Sequence, residues 1–139
     1  MSISELESRG ITDTDGNLTA TYDAATANWG DNWRMPTLYE MKELGDICTW
    51  EWVTVDGVNG SKVTGPNGNS IFLPAAGYYN GTKLGDTERR GTYWSATVFV
   101  NNSNITYGHL GYFYSENHKL YVDSFYYGYP IRPVININN

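Results

Sequence analysis

The chain has 139 residues, 40% of them hydrophobic and only 17% charged, with a formal net charge of −6. That length fits one domain, residues 1–139, with a core of its own. The acidic balance without a Lys/Arg cluster argues against nucleic acid as a partner, and no apolar run approaches bilayer-spanning length, so direct membrane insertion is not expected. The lone Cys48 excludes an internal disulfide, leaving packing as the source of stability. The opening Met1–Gly10 has neither the basic nor the apolar region of a secretory signal, which leaves a cytosolic protein or an excised domain as the readings.

Residues 1 to about 55 carry helix signals, and the remainder reads as short Gly-bounded strands. Asp23 to Trp29 forms a short helix candidate, with Asp23 at its start and Gly30 as its stop. Thr37 and Glu40 have capping-box spacing, and behind them Met41, Leu44 and Cys48 recur at helical spacing, predicting a helix of about a dozen residues with one buried stripe. Thr49 to Val55 alternates as a half-buried strand does. Ser61 to Thr64 and Ser70 to Leu73 flank a Gly65–Asn69 turn, which predicts a hairpin that Pro74 ends.

From Gly91 to Tyr129 there are three charged residues, Glu116, Lys119 and Asp123, but eight of the chain's 12 tyrosines. Candidate strands here are Thr92–Thr97, Thr106–Tyr114, Lys119–Asp123 and Ile131–Ile135. Alternation in Lys119–Asp123 sends Leu120 and Val122 to one face, read as inward, and Tyr121 and Asp123 to the other. In Thr106–Tyr114, Leu110 and Phe113 share the core side only if Gly111 makes a bulge, which would turn Tyr112 and Tyr114 outward.

Tyrosine combines a large rigid contact area with a hydroxyl, and Asn or Ser adds adaptable hydrogen bonds, so this stretch suits a binding face. It equally suits an ordinary sheet surface, where aromatic residues are favoured anyway. His109 and His118 lack accompanying ligands at metal spacing, and Asp13 to Asn17 lacks the third ligand and closing Glu of a calcium loop, reading instead as a polar turn. Cys48 reads as core filler, and no nucleophile elbow, phosphate loop or catalytic carboxylate pair is identifiable, so no metal, cofactor or catalysis is expected. The five tryptophans read as core anchors, and Trp33 to Pro36 as the structural entry to the second helix.

Several ordered runs resemble the Fibrobacter succinogenes major paralogous domain, common in surface proteins of Bacteroidetes. They are Tyr22–Gly30, Trp33–Thr37, Val58–Gly60, Val63–Gly68, Ile71–Gly77, Tyr93–Ser95 and Arg132–Val134, spanning Asn17 to Val134. The resemblance implies an α+β, C-type-lectin-like fold, with two helices packed on an irregular, mostly antiparallel sheet. The calcium-binding triplets of sugar-binding C-type lectins are missing, so their calcium-mediated binding does not carry over. Family members usually have a strand before the first helix, and this chain starts too late for it. Its C-terminal strand is therefore expected to lack a partner, leaving a monomer or weak homo-oligomer.

The chain is also similar to the variable proteins of diversity-generating retroelements, in which a Tyr-Trp-Ser segment precedes a hypermutated stretch. That likeness implies a ligand-binding part at about residues 93–129: Tyr93, Asn101, Asn102, Asn104, Tyr107, His109, Tyr112, Tyr114, Asn117, His118, Tyr121, Asp123, Phe125 and Tyr126. The function it implies is non-catalytic recognition of a protein or glycan ligand, at a bacterial cell surface or on a phage particle. The alternatives are a structural cell-surface or pilus-associated domain and an enzyme like the formylglycine-generating enzymes.

Overall fold

The computed structural model describes residues 1–102, 104–113, 117–124 and 127–136. Among these residues, three helices and eleven strands form a mixed α+β domain whose strand pairings are antiparallel. Where the resemblance implies one irregular sheet and two helices, the described residues form four small sheets, and a third helix opens the chain.

That helix, α1 (Ile3–Ser8), begins at a second capping box. Glu5 N donates to Ser2 Oγ (3.2 Å) and Ser2 N to a Glu5 carboxylate oxygen. Its Leu6 is 1% exposed and anchors the segment. Helix α2 (Ala24–Trp29) starts at Asp23 and stops at Gly30, whose φ of 96° is open to glycine at little cost. Asp23 is buried, and its carboxylate accepts from Ala25 N (2.9 Å), Thr26 N (3.1 Å) and Met35 N (3.0 Å), fastening α2 to the chain that leads into the next helix. Helix α3 (Leu38–Ile47) carries the expected Thr37/Glu40 capping box, and Arg34 grips the Glu40 carboxylate through both terminal nitrogens (2.5 and 2.8 Å).

Two tryptophans depart from the core-anchor reading, since Trp29 is 58% and Trp33 37% exposed. The expected partnerless C-terminal strand is also corrected. Strand β1 (Trp33–Arg34) pairs with β11 (Val134–Ile135), and Arg34 Nε donates to Asn136 Oδ1 (2.7 Å), so the tail is tied back to the entry of α3. A partner for it therefore lies within the chain, about a hundred residues upstream.

Strands β2 (Thr49–Val55), β3 (Val58–Thr64) and β4 (Ser70–Pro74) form the expected meander, closed at residues 65–69 by a Gly65 N to Asn69 O bond. Strands β5 (Tyr78–Asn80) and β6 (Lys83–Gly85) make a short hairpin that also pairs with β10 (Tyr127–Gly128). The remaining sheet joins β7 (Arg90–Asn101), β8 (Asn104–Phe113) and β9 (His118–Ser124) in that order. On one of its faces Tyr93, Leu110 and Leu120 meet Met41 and Leu44 of α3, Cys48 just beyond it, and Val63 and Leu73, forming one core cluster. The stripe spaced for helix burial in the sequence thus lands on the sheet.

No helix of the described residues is long and apolar enough to cross a membrane.

Candidate functional site

The other face of the β7–β8–β9 sheet is aromatic, because the register sets residues of like position side by side. Trp94 pairs with His109, His109 with Tyr121, and Tyr107 with Asp123, so all five project from the same side. The irregularity expected at Gly111 is corrected: Gly111 pairs in step with Thr92, and the break lies in β7, between Trp94 and Val98. There Ser95, Ala96 and Thr97 stand against Gly108 alone, and Ser95 Oγ, fully buried, donates to Gly108 O (2.8 Å). A Cβ at Gly108 would lie 2.9 Å from Leu38 Cδ1, so a side chain there requires Leu38 to shift.

Tyr129 closes over this face as the chain returns from β10. Its ring lies 4.4 Å from that of Trp94 and 4.9 Å from that of His109, and its hydroxyl donates to Asp123 Oδ2 (3.0 Å). Tyr127 stacks parallel to Tyr129 at 5.8 Å, Tyr78 meets both edge-on, and the Arg90 guanidinium sits 5.2 Å over the Tyr78 ring. Such offset and edge-to-face pairs are each worth about 0.5–1.5 kcal/mol beyond area burial, so the cluster is a rigid platform. Burial, helped by the Asp123 carboxylate, drives the Tyr129 phenol far above its usual range, and burial also raises that of Tyr107. Both stay neutral donors at any physiological pH.

At the centre of the platform His109 is 1% exposed, and neither ring nitrogen has a hydrogen-bond partner among the described residues. Burial pushes its pKa down to about 4; Asp123 opposes the shift and Arg90 adds to it. A neutral imidazole here serves as an aromatic plate. Tyr121 stacks on it (5.5 Å, 24° between planes) and remains 42% exposed.

The residues expected to bind a ligand therefore separate. Tyr107, Tyr121 and Asp123 share the aromatic face: Tyr121 is exposed, Asp123 half-buried, and Tyr107 half-buried beside a hollow of about 190 Å³. Asn101, Asn102 and Asn104 are exposed at the β7–β8 turn, with Asn102 in the left-handed region (φ 47°) that Asn tolerates, and Asn117 is exposed just before β9. Two of the expected ligand residues lie in the interior. Tyr93 is 5% exposed within the α3-side core and donates its hydroxyl to Pro74 O (2.7 Å), and His109 lies beneath Tyr121. His118 belongs to the opposite face, stacked on Trp50 at 4.4 Å with its Nε2 2.9 Å from Gly45 O. The inward reading of Val122 is corrected as well, for it is 51% exposed. Tyr112 pairs with Gly91 and His118 by register, but its side chain and that of Phe113, like Tyr114, Phe125 and Tyr126, lie outside the described residues.

Sequence reasoning missed Tyr78, Tyr127 and Tyr129 as members of this platform and took Trp94 for the core alone. A local signal did exist for Tyr78, since Asn80-Gly81 is a hairpin dipeptide following two tyrosines. Asp13 to Asn17 is a closed turn, in which the Asp13 carboxylate accepts from Asp15 N and Asn17 N (2.9 Å each). Among the described residues no three His, Cys, Asp or Glu side chains group as metal ligands. No protein-family model, curated protein or solved structure matches the chain.

Proposed function

We propose that this chain is a non-catalytic recognition domain on a C-type-lectin-like scaffold, displayed at a bacterial cell surface or on a phage particle, and that its ligand is a protein or glycan. The observation that carries the reading is the Tyr121 ring, exposed to solvent yet held flat on a buried, uncharged His109 plate. An aromatic group whose orientation is fixed before binding loses little entropy on contact. Beside it lie a half-buried carboxylate, Asp123, and the half-buried Tyr107, while the exposed amides of Asn101, Asn102 and Asn104 stand apart at the β7–β8 hairpin end, where alternation puts Asn101 and Asn104 on the face opposite Tyr107. These groups offer stacking and hydrogen bonds with little net charge, the chemistry of a sugar ring or a polar protein epitope.

The exposed Asn positions and the similarity to variable proteins of diversity-generating retroelements support a further part of the proposal, that this surface is diversified. The scaffold side, with Ser95 bonded to Gly108 and Trp94 packed against Tyr129, tolerates little exchange, whereas the solvated Asn101 and Asn104 beside the turn tolerate more. A near-repeat of the 93–129 coding segment beside a reverse-transcriptase gene, differing mainly at adenines, is the expected genomic trace; its absence would leave an undiversified recognition domain.

The binding reading is tested by screening the purified chain on glycan and bacterial-surface protein arrays alongside Tyr121→Ala. Loss of array signal with an unchanged melting temperature is the expected result. A variant that unfolds, or that keeps every signal, refutes the role given to Tyr121; unfolding would favour a structural domain whose aromatic face packs on a neighbour.

A further inference from the structure

A second concavity lies on the opposite side of the β7–β8–β9 sheet, away from the aromatic platform. It encloses about 200 Å³ between α3, β4, the sheet and the C-terminal segment, and its wall is hydrocarbon and ring from Met41, Leu44, Leu73, Tyr93 and Leu110. A hollow of this volume with an apolar wall can bury the hydrocarbon of a ring or a short alkyl chain.

The rim is polar and unevenly charged. Glu40 reaches it, but both its oxygens are taken by Arg34, and Thr37 N also donates to Oε1 (2.9 Å). Arg132 also reaches it and is exposed, with NH1 donating to Phe72 O (3.1 Å). Among the described residues no carboxylate pairs with Arg132. The concavity thus presents an apolar wall, a neutralised acid and an available guanidinium, whose flat fork suits a carboxylate.

We infer that this pocket binds a small monocarboxylate with an aromatic or short alkyl body, the body against Met41, Leu44 and Leu110 and the carboxylate on Arg132. It is separate from the proposed recognition face, and neither proposal depends on the other.

Titration of the ¹⁵N-labelled full chain with 3-phenylpropionate and with its neutral amide, 3-phenylpropanamide, tests this. The acid should bind about fivefold more tightly, the upper range for an exposed ion pair, and shift the amides of Met41, Leu44 and Leu110. Arg132→Gln should bring the acid down to the affinity of the amide while leaving the amide unchanged. Ile71→Trp, which enlarges an exposed residue of the pocket wall, should remove both. Equal affinity for acid and amide in the unaltered chain overturns the inference, as does no saturable shift with either compound up to its solubility limit.

Discussion

Acidification should destabilise this domain through one buried ring. His109 has a folded-state pKa of about 4 against 6.5 when unfolded, because burial disfavours its charged form. Below pH 6.5 the unfolded chain takes up a proton that the folded chain refuses, so stability falls as pH drops from 6.5 towards 4. Integrating over that window gives a loss from this group of about 1.4 kcal/mol at pH 5.5 and about 2.5 kcal/mol at pH 4.5. Glu40 shifts in the same direction for the opposite reason: the Arg34 hydrogen bond favours its charged form and lowers its pKa from 4.5, so its stabilisation is also lost on acidification, but only below that value. Between pH 6.5 and 4.5 the imidazole therefore governs the slope. The perturbation is His109→Phe, which keeps a flat ring between Trp94, Tyr121 and Tyr129 but cannot be protonated. Urea denaturation from pH 7.5 to 4.5 reads the result: the unaltered chain should lose stability along this curve, and the variant should be nearly flat over the same range. Parallel curves for the two proteins would show that His109 is already solvated or partnered, and would remove the neutral-plate argument.

Three further outcomes follow from local geometry. Asp23→Ala should cost about 3 kcal/mol in urea denaturation, because it orphans the buried Ala25 and Met35 amides together and releases α2 from the entry to α3. Thr37→Ala removes one half of a capping box and should cost about 1 kcal/mol, read as a lowered melting midpoint. Gly77→Ala and Gly57→Ala both place a side chain at positive φ (72° and 80°), but a Cβ at Gly77 collides with the Gly85 backbone while one at Gly57 meets nothing within 4 Å. The second should therefore cost about 1–2 kcal/mol from backbone conformation alone, and the first markedly more, with folded yield on expression as the check.

What could be read from the sequence was what local rules decide. Asp23 and Thr37 had to cap helices because their side chains satisfy amides two and three residues on, whatever surrounds them. Ser2 and Glu5 obey the same rule at the start of α1. The faces of the last sheet were not legible. Alternation in β9 correctly separated Leu120 from Tyr121, but inside and outside have no simple meaning when α3 covers one face and Tyr129 part of the other. That is why an aliphatic Val122 stands exposed while His109 is enclosed. The pairing of Trp33 with Ile135 was equally hidden, since two-residue strands a hundred positions apart leave no periodicity to find. For the candidate site, residue types pointed to the β7–β8–β9 sheet, while the register alone split Tyr121 and Asp123 from Tyr93 and His118.

The most direct test of the recognition face is to map the strongest array binder on the ¹⁵N-labelled chain by amide shift perturbation. Shifts concentrated at Tyr107, Tyr121 and Asp123 are predicted. Shifts centred instead on the exposed Trp29 and Trp33, with the β9 strand silent, would contradict the account.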